Sequence, residues 1–100
     1  MYFAVAQITF EDEVTSYDYK ELKSLTEKLR ARFRICVRVA DGSPQSAPPA
    51  IVIAALHPQQ ESLSRLLDQV VEFCENSGFG RIAEERTILE HLESLLDESY

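Results

Sequence analysis

From Tyr2 to Phe10 apolar residues occupy both parities of the chain. Ala4, Ala6, Ile8 and Phe10 form one row, and Phe3, Val5, Gln7 and Thr9 form the other. A run this rich in aromatic and β-branched residues predicts a strand, and two partly apolar rows place it inside a sheet. Glu11-Asp12-Glu13 ends it. Thr15-Ser16-Tyr17-Asp18 then matches a capping box, in which a hydroxyl and a carboxylate satisfy the free N–H groups of a helix start. Leu22, Leu25, Leu29 and Phe33 follow at spacings of three, four and four, which is one stripe of an amphipathic helix.

The period then returns to two. Between Arg34 and Ala40, residues Ile35, Val37 and Val39 alternate with Arg34, Cys36 and Arg38. That is a half-buried strand, and its arginines suit a sheet edge, where charge discourages pairing with other chains. Asp41 to Pro49 is turn chemistry throughout and predicts a hairpin connection. Ala50 to Leu56 is continuously apolar and reads as a central strand. His57-Pro58 is expected to open the second helix, since a proline is tolerated in the first turn. Leu63, Leu66, Leu67, Val70, Val71 and Cys74 give its buried stripe, and Gly78 is placed to stop it. Gly80 to Leu89 reads as a second edge strand, with Glu84, Glu85 and Arg86 inside it. Leu89, Leu92, Leu95 and Leu96 then predict a short amphipathic tail helix.

These elements compose an α+β chain of ferredoxin-like type, a βαββαβ two-layer sandwich plus a C-terminal tail helix. With strands one and three central and two and four at the edges, the antiparallel sheet order is 4-1-3-2. Both helices then cover one face, which satisfies the right-handed crossover rule. The domain is expected over residues 1–89, with 90–100 as an acidic tail. A chain of 100 residues is one domain by length.

The stretch Ser24-Leu25-Thr26-Glu27-Lys28-Leu29-Arg30-Ala31-Arg32-Phe33, the strand Ala50 to Leu56 and the helix Leu66 to Phe73 resemble the YlxP-like family of small bacterial ferredoxin-like domains. The resemblance spans Tyr2 to about Leu89 and rests on packing motifs. It implies the same fold, and the family's genomic company implies a translation-related role.

Charge sharpens the picture. The chain carries a net −7, which opposes nonspecific attraction to nucleic acid or anionic membranes. Lys20, Lys23, Lys28, Arg30, Arg32, Arg34 and Arg38 nevertheless give residues 20–38 a local +5. Such a patch on helix one and strand two could meet phosphates, although charge runs are usually solvated faces. The start of the chain lacks a basic leader, and no apolar run reaches the roughly 20 residues of a spanning helix. Two cysteines, Cys36 and Cys74, make no disulfide framework, so a cytoplasmic protein with reduced thiols is expected and membrane association is not.

Candidate chemistry is sparse. His57 and His91 sit in no ligand spacing, and zinc wants about four converging donors. Cys36 could face outward but has no visible base, while Cys74 falls on a buried stripe. Three scattered glycines build no phosphate cradle, so neither metal nor cofactor is expected. The base-stacking aromatics of an RNA-recognition sheet are missing from strand three. The expectation is therefore a non-catalytic interaction module that forms a homodimer. Its candidate interface is Phe3 and Val5 on the uncovered sheet face with Leu92, Leu95 and Leu96 of the tail. Alternatives are an RNA- or ribosome-associated factor using the basic patch, and an ACT-like small-ligand regulatory domain. The latter normally needs a glycine in its first strand–helix loop, where this chain has Glu11-Asp12-Glu13-Val14-Thr15.

Overall fold

The computed structural model describes residues 1–11, 19–40 and 48–93. The capping box at 15–18, most of the 41–49 connection, and Leu95 and Leu96 lie outside them. Strand β1 runs over Tyr2–Phe10, helix α1 over Tyr19–Phe33, β2 over Cys36–Val39, β3 over Ala50–His57, α2 over Gln60–Asn76 and β4 over Ile82–His91. The four strands form one sheet in the order β2-β3-β1-β4, every neighbour antiparallel. This is the expected order read from its other edge.

The two rows of β1 have different fates. Ala4, Ala6, Ile8 and Phe10 are at most 3% exposed and pack under the helices. Val5 and Gln7 point to the opposite, open face. In register with the buried row lie Ile53 and Ile51 of β3 and, beyond them, Val37 and Val39 of β2. Leu22, Leu25 and Leu29 of α1 and Leu63, Leu67, Val70 and Cys74 of α2 close this core from above. Alternation on the strands and the 3.6-residue period on the helices thus converge on one apolar layer.

Helix ends are set by local chemistry. Arg34 ends α1 with φ of 54°, its N–H donating to the Arg30 carbonyl at 3.0 Å. A left-handed residue that is not glycine is uncommon there. It shortens β2, which begins at Cys36 and not at the expected Arg34. The Arg30 guanidinium donates to the Val37 carbonyl at 3.1 Å and so ties α1 to strand β2. Ser77 caps the C-terminus of α2, and Gly78 turns the chain away with φ of +80°. Nothing lies within 4 Å of a Cβ built on Gly78, so space is no obstacle to a side chain there. The backbone is. Gly78→Ala should therefore lower stability by about 1–2 kcal/mol in urea denaturation, the left-handed penalty alone.

Two boundaries differ from expectation. His57 does not open α2; it is the last residue of β3, in register with Tyr2. Its Nδ1 accepts the Gln59 N–H at 2.9 Å, and Gln59 is the N-cap, with extended dihedrals and no side-chain cap. The imidazole thus bonds the N-cap residue's own N–H from outside the helix, and Pro58 falls in the bend between. Strand β4 is displaced likewise, running from Ile82 to His91 and not from Gly80 to Leu89. Leu89 pairs with Ala4 and Glu90 with Phe3, so both are strand and not tail. The helices pack over β1, β2 and β3 and leave β4 projecting. Glu85 and Thr87 are accordingly exposed although they point to the helix side.

Candidate functional site

The sheet face turned away from α1 and α2 is built row by row. Phe3 lies between Leu56 of β3 and Glu90 of β4. The next row runs Cys36, Ala54, Val5, Ile88 across all four strands, and the one after it Arg38, Val52, Gln7, Arg86. Val5 is 41%, Ile88 58% and Leu56 65% exposed. Contiguous apolar surface of this kind marks a binding face more often than an idle one. Over its β2–β3 half lies a shallow cavity of ≈ 440 Å³, lined by Cys36, Arg38, Val39, Ala40, Val52 and Ala54. Its floor is Val52 and Ala54, and its rim holds one thiol and one guanidinium. Among the described residues Arg38 makes no hydrogen bond or ion pair, whereas Arg86 in the same row is held by Glu84 at 2.9 Å. A guanidinium presents a fork of N–H donors that suits a planar anionic group.

Other concavities are less suited to an organic ligand. A cleft of ≈ 550 Å³ at the end of α2 sets Glu11 and Glu75 against Arg81 around Gly78 and Gly80, with Ile82 the large apolar residue among the described ones that line it. A neighbouring one of ≈ 400 Å³ lies between α1 and the turn at Ser77-Gly78-Phe79, with Lys20, Glu21 and Lys28 on its walls. Charges of both signs and open water weaken any recognition there.

The basic residues singled out by sequence are dispersed. Lys20, Lys23, Lys28, Arg30 and Arg32 project from α1, Arg34 forms the turn after it, and Arg38 lies on the other face of the sheet. Arg30 is engaged with the Val37 carbonyl, and Arg32 stacks 5.7 and 5.6 Å from the centroids of Phe33 and Phe73. Phe3 and Val5 do lie on the open face, in register with Leu56 and Ala54 of β3. Leu92 is half-buried, its N–H donating to the Met1 carbonyl at 2.9 Å.

The cysteines divide as their positions dictate. Cys36 is exposed, in a row that holds no histidine or carboxylate among the described residues. Cys74 is fully buried, and burial, then the nearby Glu75 charge, pushes its thiol up to about 12. One arrangement went unseen in the sequence. His57, Tyr2 and His91 form a row across β3, β1 and β4, with Tyr2 edge-on to His91 at 4.7 Å. Each imidazole Nδ1 accepts a backbone N–H two residues on, from Gln59 at 2.9 Å and Glu93 at 3.3 Å. The signal was present as a histidine closing a strand two residues before a helical turn, twice. Among the described residues no group of three His, Cys, Asp or Glu side chains is placed to hold a metal. Nor is any helix long and apolar enough to cross a membrane.

Neither a protein-family model nor a curated protein matches the chain. Solved structures do resemble it. A candidate antibiotic biosynthesis monooxygenase from Deinococcus radiodurans is 11% identical, over 91% of this chain and 91% of that one, with a TM-score of 0.52. Its counterpart from Nitrosomonas europaea is 10% identical over 91% and 97%, with a TM-score of 0.53. A protein from Arabidopsis thaliana is 15% identical over 91% and 94%, with a TM-score of 0.55. The fold is ferredoxin-like α+β, and these neighbours share it.

This likeness corrects the expectation of a non-catalytic interaction module. Proteins named as monooxygenases are built on the same two helices and four strands. The lack of metal-ligand spacing or a phosphate cradle in the sequence therefore has no force against an enzyme. Function on a shared fold is set by the site, and the site has to be read on its own chemistry.

Proposed function

We propose that this chain is a small-molecule enzyme of the monooxygenase type whose substrate is a largely apolar organic molecule bearing an acidic group. The observation that carries the reading is the open sheet face, where Val5, Val52, Ala54, Leu56 and Ile88 give an apolar floor beside Arg38, which makes no hydrogen bond or ion pair among the described residues. Ligand sites are typically apolar concavities with a few placed polar groups, and this one has that composition. The names of the Deinococcus and Nitrosomonas neighbours supply the reaction class.

In this reading the apolar body of the substrate lies across Val52 and Ala54. Arg38 fixes its orientation by donating to a carboxylate or phenolate oxygen. A charge-assisted bond of that kind contributes about 1.5–3 kcal/mol. Arg38→Ala should thus weaken binding of 1-naphthoate roughly tenfold or more, and Ala54→Glu should abolish it, both by fluorescence titration. Oxygen consumption with a dihydroxynaphthalene should exceed the spontaneous rate and fall to that rate in Ala54→Glu. Uptake that is the same with and without protein would refute the oxygenase reading. Binding that is indifferent to both variants would refute the site.

A further inference from the structure

We infer that the outer edge of β4 pairs antiparallel with β4 of a second copy, centred on Ile88, so that two sheets become one of double width. This surface is separate from the question of what the open face binds. Strand β4 is the last in the sheet and has β1 on one side only. Residues Ala83 to Ile88 are all exposed, and the helices do not reach over them. The Leu92 N–H donates to the Met1 carbonyl, and Glu90, Ile88 and Arg86 follow in the same phase opposite Phe3, Val5 and Gln7. In an antiparallel ladder a residue turns its N–H and C=O to one side together, alternating along the strand. Glu90, Ile88 and Arg86 therefore face β1, and Glu85, Thr87, Leu89 and His91 present their backbone groups outward. A long outward row of unpaired donors and acceptors is a template for another strand.

The side chains choose the strand. A twofold axis normal to the sheet sets one residue opposite its own copy and pairs the others symmetrically about it. Centred on Ile88, that operation sets Arg86 against Glu90, Glu85 against His91 and Thr87 against Leu89, each pair formed twice. Every charged residue from Glu85 to Glu90 meets an opposite charge or an imidazole N–H, and the two Ile88 side chains meet on the axis. Neighbouring registers fail. Centring on Arg86 or on Glu85 opposes that residue to itself, centring on Thr87 opposes Glu84 to Glu90, and centring on Leu89 opposes Glu85 to Glu93 and Ile88 to Glu90. Cross-strand charge pairs discriminate in this way, with like charges destabilising. The hydrogen-bonding phase agrees, since Thr87, Leu89, Glu85 and His91 carry the outward backbone groups. The arrangement also joins the apolar row Cys36, Ala54, Val5, Ile88 to its copy on one continuous face.

The test is a cysteine placed on the axis. Opposed residues of a non-hydrogen-bonded pair have Cα atoms about 4.5 Å apart, within disulfide range. Ile88→Cys in a Cys36→Ser background should give a covalent dimer on mild oxidation. Thr87→Cys, which faces the other side and is offset from its own copy, should not, and nor should Leu56→Cys on the open face. By sedimentation equilibrium, Arg86→Glu should weaken the dimer about tenfold or more, and adding Glu90→Arg should restore it. Both positions are exposed, so circular dichroism should show the fold intact in each variant. An Ile88→Cys protein that stays monomeric would overturn the inference, as would a Leu56→Cys protein that cross-links equally well. Failure of the double charge reversal to restore the dimer would overturn it too.

Discussion

Phe10→Ala should lower the unfolding free energy by about 3–5 kcal/mol, the range for emptying a large aromatic from a packed core. Phe10 is fully buried at the end of β1, edge-on to Phe79 with centroids 4.8 Å apart and planes at 71°. It therefore joins the sheet to the turn after α2, and its backbone N–H donates to the Pro49 carbonyl at 2.8 Å, holding the start of β3. Removing the ring leaves a void between elements joined by rigid strands, and such voids collapse poorly. Small single domains have about 5–15 kcal/mol in all, so the variant should lose a large part of its stability. Urea denaturation followed by circular dichroism reads this as a lower midpoint at unchanged slope. A midpoint within error of the parent would mean that the ring is not part of the core.

The second large effect is on Cys74. Its folded thiol is pushed up from 9.0 to about 12, burial first and the Glu75 carboxylate second. Because the folded value is the raised one, the native state holds the proton more tightly than the unfolded chain. This contribution to stability is complete below pH 9 and is lost as pH rises through 12. Stability should fall across that window by up to about 1.4 kcal/mol per pH unit from this group. Cys74→Val should flatten the fall, and denaturant melts at pH 8, 9.5 and 10.5 in parent and variant check it. The same burial separates the two thiols in reactivity. Near pH 8 an aromatic disulfide reagent should modify Cys36 within seconds to minutes and leave Cys74 untouched until denaturant is added. Two equally fast thiols in the folded protein would contradict the placement of Cys74.

Much of the fold was legible in the sequence because its signals are redundant. β1 was readable to the residue, since both of its rows are apolar and three acids end it. α1 ended where the leucine stripe ended, at Phe33. The misreadings have local causes. His57-Pro58 has the form of a helix opening, yet backbone pairing to Tyr2 keeps His57 in the sheet and delays the helix to Gln60. β4 was cut short because Glu90 and His91 carry no strand signal. On an edge strand projecting beyond the helices, polar residues cost little on either face. The site was half legible. Alternation identified Phe3 and Val5 as candidates for the uncovered face. No local pattern states that Cys36, Ala54, Val5 and Ile88 form one row, because that depends on the register of three strand pairs. The basic segment shows the opposite case. Its residues adjoin in sequence, but a helix, a turn and a sheet face send them in three directions.

Two-dimensional methyl NMR with 1-naphthoate reads out directly whether the open sheet face is a ligand site. Shifts should concentrate on the methyls of Val5, Val52, Ala54, Leu56 and Ile88, saturate together and be lost in Ala54→Glu. Shifts centred on the clefts around Gly78, or none at all, would contradict it.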